Sequence, residues 1–175
     1  NTVSDIKTVK AGNEGQEFTI EGTVTANTSG YDQNTAFFDC TYVQDGTAGI
    51  NVFPVSDSLQ AGQKVRMHGA ITYYNGEIEL NLSEDYGGYV EVIDTEINTV
   101  SPTAVSCKDA MSEDNIGLLM KVEGTVSRVN ESSGVVDRIY VKDANGDEAC
   151  IYINGYIWNS ATEKYDFGKD GAIPK

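Results

Sequence analysis

The sequence predicts an all-β fold built from two small tandem units. The stretch Ile20-Glu21-Gly22-Thr23-Val24 returns 102 residues later as Val122-Glu123-Gly124-Thr125-Val126. Downstream, Tyr42-Val43-Gln44-Asp45 returns as Tyr140-Val141-Lys142-Asp143. The 18 glycines and 10 tyrosines favour strands and turns over helices. A repeat of this length is too long for a solenoid and is typical of two successive domains.

We expect the first unit at residues 1–96, with five strands. Apolar and polar residues alternate over most of these stretches, which is the period of a strand with one buried face. Gly22 interrupts the first strand and predicts a bulge or sharp bend. Asn75-Gly76 predicts a tight hairpin between the last two strands. The expected strands are 18–24, 36–44, 50–53, 65–71 and 78–82, preceded by a helical turn over 4–10 capped by Ser4 and followed by a closing segment at 89–93.

We expect the second unit at residues 97–175, with fewer strands than the first unit. A short helix is predicted around 105–111, with strands at 118–126, 135–142 and 149–153. Nothing after Trp158 corresponds to the fourth and fifth strands of the first unit. A three-stranded remnant leaves an open sheet edge and an incomplete core. We therefore expect Lys175 to be a boundary inside a longer protein, or a partner chain to supply the missing strands.

The chain is strongly acidic, with a formal charge of −15. Residues 1–96 hold 15 acidic against 4 basic side chains, whereas residues 97–175 hold 12 against 8. Nucleic-acid affinity rests largely on cationic side chains that displace counterions from phosphates. Any such binding should therefore be weak and local, and we favour solubility of a secreted protein as the reason for the acidity.

The three cysteines, Cys40, Cys107 and Cys150, have no Cys-x-x-Cys spacing, so the sequence does not support a zinc ribbon or a redox motif. We expect free thiols that pack as small apolar side chains. No run approaches the roughly 20 apolar residues that cross a bilayer. No basic start followed by an apolar segment resembles a signal peptide, so we expect the chain to begin after any targeting sequence or never to have had one.

No catalytic or metal-binding constellation is evident. Residues 143–148 place oxygen ligands at alternate positions, as at the start of a calcium loop, but the bidentate acid is missing and a turn is favoured. His68 is the only histidine and has no nucleophile motif beside it. Glu77 and Glu79 are expected on a solvated strand face rather than as a glycosidase pair. We expect no enzyme activity, no cofactor and no metal.

Several motifs together resemble a known family. They are Glu21-Gly22-Thr23-Val24, Tyr42-Val43-Gln44-Asp45-Gly46, Ala61-Gly62-Gln63-Lys64-Val65-Arg66 and Tyr74-Asn75-Gly76, with Lys121-Val122-Glu123-Gly124-Thr125-Val126 and Glu148-Ala149-Cys150-Ile151-Tyr152-Ile153 in the second unit. This set resembles the OB-fold modules attached to secreted bacterial nucleases and metallophosphoesterases. The resemblance implies two tandem five-stranded OB-like barrels, the second without its last strands. It also implies an accessory module of an extracellular or cell-surface bacterial enzyme whose catalytic domain lies elsewhere.

OB barrels usually bind ligands on the face of strands two and three, often by stacking bases on aromatic rings. Alternation places six candidate side chains on or beside that face: Tyr42, Phe53, Arg66 and His68 in the first unit, Tyr140 and Tyr152 in the second. The predicted ligand is single-stranded nucleic acid or an oligosaccharide, which the same rings would serve. The alternative is that outward tyrosines only favour strands or pack between units, which would make the chain a structural or protein-interaction spacer.

Overall fold

The computed structural model describes residues 1–28, 35–37, 39–56, 58–155, 157–159 and 162–164. The chain forms two compact units, 1–31 with 39–101 and 117–119, and 32–38 with 102–116 and 120–175. In chain order the elements are α1 (Ile6–Lys10), β1 (Glu17–Val24), β2 (Thr35–Phe37), β3 (Thr41–Gln44), β4 (Gly49–Phe53), β5 (Lys64–Tyr74), β6 (Glu77–Asn81), β7 (Tyr89–Asp94), β8 (Thr103–Ala104), α2 (Cys107–Ala110), β9 (Met120–Lys121), β10 (Thr125–Ser132), β11 (Val135–Lys142), β12 (Glu148–Tyr152) and β13 (Ile157–Asn159).

Five strands of the first unit close into a barrel. β1 pairs antiparallel with β3, and β3 with β4. β4 then runs parallel to β6, which forms an antiparallel hairpin with β5. β5 also pairs with β1 over seven residues, which closes the ring. β7 pairs with the same edge of β5 as β6 does, at the other end of that strand. This closed five-stranded barrel is consistent with the predicted OB fold, and closure removes the exposed edges of an open sheet.

The barrel interior is filled by the apolar residues that alternation assigned to it. Val43, Ile50 and Val52 are buried, as predicted, while Tyr42 and Phe53 on the opposite side of the same strands are half-buried. Strand β5 contributes further fully buried side chains to this cluster, and α1 adds two more. The core comprises Ile6, Val9, Ile20, Val24, Val43, Ala48, Ile50, Val52, Val55, Leu59, Val65, Met67, Ile71, Leu80 and Leu82.

Gly22 is needed for close approach of two strands and not for a bulge. The register between β1 and β5 runs through Gly22 without a shift, so the predicted bulge is absent, and the alternative of a sharp bend stays a prediction. A Cβ atom at Gly22 would lie 2.7 Å from both the Gln44 carbonyl oxygen and the Val43 side chain. Gly124 meets the carbonyl oxygen of Lys142 in the same manner. The repeated glycine therefore lets the backbone of β1 approach β3, and the backbone just before β10 approach β11, more closely than a side chain would allow.

The repeat also extends to the way each unit holds its short helix. Asp45 Oδ2 accepts a hydrogen bond from the Ile6 backbone N–H at 2.8 Å, and Asp143 Oδ2 accepts one from the Cys107 N–H at 2.9 Å. Each aspartate thus ties the turn between two strands to the start of the helix. The helix cap itself is Asp5 in the first unit, one residue later than the Ser4 predicted from the sequence.

The second unit contains a three-stranded sheet, β10–β11–β12, with α2 packed against it. Its small core comprises Cys107, Val136, Ile139, Val141, Ala149 and Ile153. Two short pairings, β8 with β9 and β13 with β2, complete the described part of this unit. A closed second barrel is not formed by the described residues, so the second half of the tandem-barrel prediction stays a prediction.

Two predicted strands are each divided in the structure. The stretch 36–44 splits because β2 pairs with β13 of the second unit, while β3 pairs within the barrel. The stretch 118–126 splits into β9, paired with β8, and β10, paired with β11.

No helix in the described part of the chain is long and apolar enough to cross a bilayer.

Candidate ligand-binding face

In the first unit, Tyr42 belongs to a polar row on the outside of the barrel. The row crosses four strands, because Tyr42 pairs with Asn51, Asn51 with Glu79, and Glu79 with Thr72. Asn51 and Glu79 are only 8% and 9% exposed, and the Thr72 hydroxyl donates to Glu79 Oε1 at 3.0 Å. Burial raises the pKa of Glu79 above its ordinary value, with the nearby charge of Glu77 acting in the same direction.

Tyr42 itself is bound to a carboxylate. Its hydroxyl donates to Glu77 Oε1 at 2.8 Å, and its pKa is raised, first by burial and then by the charge of Glu77. Phe53 lies at the end of β4, half-buried and opposite Asn81. An acidic group therefore lies directly at Tyr42, which disfavours an anionic ligand at this ring.

Arg66 and His68 do not join Tyr42 and Phe53. They lie on β5, six and four residues from Thr72, which corresponds to about 20 and 13 Å along a strand. Arg66 donates to Glu21 Oε1 at 2.6 Å and to Glu91 Oε2 at 3.1 Å. Arg66 and His68 thus lie on the strand predicted for them but at a distance from the two rings, and their role in ligand binding stays a prediction.

His68 is likewise held by its neighbours on the flanking strands. Its Nδ1 atom lies 2.8 Å from the Thr19 hydroxyl, and its ring stacks on Tyr89 with centroids 5.8 Å apart. Its Nε2 atom is 3.5 Å from a Glu17 carboxylate oxygen. These contacts hold His68 in place on the β1–β5–β7 surface, and its role in ligand binding stays a prediction.

The second unit carries a different arrangement on the outer face of its sheet. Arg128 lies over the ring of Tyr140, with the guanidinium carbon 3.6 Å from the ring centroid, and Arg138 lies 5.5 Å from that of Tyr152. Each pair is directly opposed across neighbouring strands. Tyr152 is 61% exposed. Two cation–π pairs thus stand side by side on a surface open to solvent.

Two carboxylates hold the arginines of this face without neutralising all of its positive charge. Glu148 accepts from Arg128 at 3.2 Å, and Asp137 accepts from Arg138 at 3.2 Å. A hydrogen bond from Ser127, together with Arg128, keeps the pKa of Glu148 below its ordinary value.

A third cation lies on the same side of β11. Lys142 is two residues beyond Tyr140 and pairs in register with Glu148. With Arg128 and Arg138 it brings three basic groups to a face that has two acidic ones.

The tyrosines of this face were predicted, but Arg128 and Arg138 were missed. Arg138 could have been found, because Arg138, Tyr140 and Lys142 alternate along one predicted strand and must share a side. Arg128 could not, because its position over Tyr140 depends on the register of β10, where a shift falls between Val126 and Arg128.

The other chemical candidates have structural roles. Asp143 Oδ1 accepts from the backbone N–H groups of Asn145 and Asp147, so the 143–148 segment is a turn stabilised by its first side chain. Within the described ranges, no three His, Cys, Asp or Glu side chains form a metal site. The three cysteines are free, and burial, followed by the charge of Asp39, raises the pKa of Cys40 to about 11.

An open groove of about 500 Å³ also runs along the first unit. It is lined mainly by polar and charged side chains, among them Glu21, Gln44, Asp45, Lys64 and Asn98. None of the described residues that line it is aromatic.

Comparison with known proteins gives structural likeness only. No protein-family model and no curated protein matches the chain. The hypothetical protein ygiW from E. coli is similar at 16% identity and a TM-score of 0.37, over 46% of this chain and 84% of that one. The p204 HINb domain is similar at 16% identity and a TM-score of 0.39, over 53% of this chain and 47% of that one. Both TM-scores are low, so the barrel assignment rests on the strand order described above.

Proposed function

We propose that the chain is a non-catalytic accessory module of a secreted or cell-surface bacterial protein, and that it holds single-stranded nucleic acid beside a nuclease or phosphoesterase domain. The observation that carries the proposal is the pair of arginine–tyrosine stacks formed by Arg128 with Tyr140 and Arg138 with Tyr152. Sheet faces of this composition bind single strands by stacking bases on rings while cations meet the phosphates. The sequence resemblance to OB modules of secreted nucleases supports the setting.

Binding by the module alone should be weak. A stacked base contributes about 1–3 kcal/mol, so two rings supply roughly 2–6 kcal/mol before the entropic cost of association. Two of the three cations on the face are already paired with carboxylates. The module would therefore act by keeping a polymeric substrate near a linked catalytic domain, where a weak contact raises the effective concentration.

Fluorescence anisotropy with a labelled oligo(dT) at low salt tests the proposal. Tyr152→Ala and Arg138→Ala should each weaken binding, with the loss of one stacked ring corresponding to about 5- to 150-fold. Tyr74→Ala is the matched control, because Tyr74 is 68% exposed but lies in the first unit. Absence of binding by the native chain, or an equal loss in the Tyr74 variant, would contradict the proposal.

A neutral oligosaccharide is the second candidate, and the net charge of −15 favours it because an uncharged ligand is not repelled. Salt dependence separates the two. Two phosphate contacts on a single strand predict a slope of about −1.4 for log K against log salt concentration. Sugar binding predicts a slope near zero. If neither polymer binds and Tyr140→Ala leaves the linked enzyme unchanged, the chain is a spacer.

A further inference from the structure

The two units share the same strand pattern but differ in how far an equivalent inward-facing side chain is buried. A position that is buried in the first unit is exposed to solvent in the second. The register equates Val126 with Val24, because each lies opposite the corresponding valine of the next strand, Val141 or Val43. Val24 is 0% exposed, whereas Val126 is 46% exposed. The apolar surface at Val126 therefore lacks the covering that its counterpart has.

The same difference occurs on the other flanking strand of the sheet. Ile151 corresponds to Val52, since they pair with Ile139 and Thr41 at equivalent points of the register. Ile151 is 40% exposed and Val52 is 0% exposed. On the central strand β11, by contrast, Val141 stays buried at 9%. The open positions thus lie on both outer strands of the sheet and not at its centre.

In the first unit a single hairpin covers these positions. Strand β5 pairs antiparallel with residues 17–23 of β1, and β6 runs parallel to β4. In the described part of the second unit, β12 pairs only with β11, and residues 120–126 pair only with β8 and β11. Among the described residues, no strand therefore lies at the edges that β5 and β6 occupy in the first unit. On β12 the Cys150 N–H donates to Met111 Sδ at 3.4 Å, a contact that an added strand would replace.

The charged residue at this edge indicates which side chain a strand bound there would carry. Glu21 of the first unit faces Arg66 of β5, whose guanidinium donates to it at 2.6 Å. Glu123 is the equivalent residue of the second unit. It contacts Lys121 at 2.7 Å, but its side chain stays 79% exposed. An incoming strand with a basic residue at the Arg66 position would meet this carboxylate.

We infer that the second unit binds a β-hairpin donated by a partner polypeptide. One strand of the hairpin runs antiparallel to residues 120–126 and the other runs parallel to β12, with apolar side chains at alternate positions covering Val126 and Ile151. A basic residue on its outer side pairs with Glu123. Backbone hydrogen bonds along both edges supply affinity, and the alternate side chains supply specificity. This inference does not depend on the proposed nucleic-acid function.

The resident hairpin of the first unit provides the probe. A second copy of residues 64–81 is joined to the end of the full chain by a Gly/Ser linker, which keeps its effective concentration high. Hydrogen exchange of the β12 amides and of residues 122–126 should slow by about tenfold or more relative to the unfused chain. Emission of an apolar-surface dye should fall at the same time.

The matched control carries the same fused segment with serine at its Met67 and Leu80 counterparts, which removes the inward apolar groups. Equal exchange in the two fusions, or exchange unchanged from the free chain in both, overturns the inference. Val126→Ser in the fusion should also abolish protection, and the Ile139 amide reports whether this variant stays folded. Oligonucleotide binding is measured separately on the outer face, so failure of either proposal is distinguishable from failure of the other.

Discussion

Asp45 joins the β3–β4 turn to α1, and replacing it tests the feature that both units share. Its carboxylate accepts from the backbone N–H groups of Ile6 at 2.8 Å, Thr47 at 2.7 Å and Ala48 at 3.0 Å, and from the Thr47 hydroxyl at 2.6 Å. Water can replace the exposed Thr47 bonds, whereas the Ile6 and Ala48 bonds are partly buried. At roughly 1.5 kcal/mol for each partly buried bond, Asp45→Ala should lower the unfolding free energy of the first unit by about 3 kcal/mol.

Native-state hydrogen exchange measures this loss in each unit separately. The amides of Ile20 and Met67 report the barrel, and the amide of Ile139 reports the second unit. Asp85→Asn is the control, because Asp85 is exposed on a short turn, and it should change stability by less than about 0.5 kcal/mol. If Asp45→Ala shifts the barrel amides no more than the control does, the hydrogen bonds to Ile6 and Ala48 do not stabilise the unit.

The stability difference between the native chain and Asp45→Ala should depend on pH, and the shifted pKa of Asp45 determines the direction. Partial burial acts to raise the pKa of Asp45, but hydrogen bonds from Thr47, Ile6 and Ala48 outweigh burial and leave the pKa below its ordinary value. Because the unfolded pKa is about 3.9, the stabilisation is complete above that pH and is lost as the pH falls through the lower folded value. The gap between the native chain and Asp45→Ala should therefore be widest near neutrality and narrow in acid.

Three further changes have expected outcomes. Gly22→Ala should destabilise the barrel by about 1–3 kcal/mol, because its Cβ would press on backbone and side-chain atoms, while Gly46→Ala, which meets nothing within 4 Å, should be nearly neutral in urea denaturation. Cys40, with its pKa near 11, should hold about a hundredfold less thiolate at pH 8 than an ordinary cysteine, and its alkylation by iodoacetamide should be slow until the pH is raised. Leu59→Ala should cost about 2–5 kcal/mol in unfolding free energy, since this side chain is 1% exposed in the barrel core.

Features that depend on neighbouring residues were predictable from the sequence. The alternation over 65–71 predicted β5, and its three apolar members Val65, Met67 and Ile71 are fully buried. Asn75 and Gly76 have φ values of 50° and 83°, as the predicted tight hairpin requires. In these stretches the periodicity and the turn chemistry agree, so each local preference is compatible with the final fold.

Features that depend on register were not predictable. The split of the expected 36–44 strand arises from a pairing of β2 with β13, residues more than a hundred positions later. The helix contacts of Asp45 and Asp143 could not be predicted, because an aspartate in a turn usually accepts hydrogen bonds from the backbone of that turn. Both residues do so, and each also accepts one from the first residue of a helix. The partners of Arg66 could not be predicted for the same reason, since they lie on β1 and β7.

The two units share an inward valine pair, Val24 with Val43 and Val126 with Val141, and differ in what flanks an equivalent outward tyrosine. Tyr42 donates to Glu77, which β6 brings to the outer side of the barrel, whereas Tyr140 is covered by Arg128 of β10. The second unit has no described strand at the β6 position, and its outer face stays cationic. A hairpin added there would place its own outward side chains beside Tyr152. If that strand carried acids where β6 has Glu77 and Glu79, it would weaken oligonucleotide binding by this face, and if it carried basic residues it would extend the binding surface.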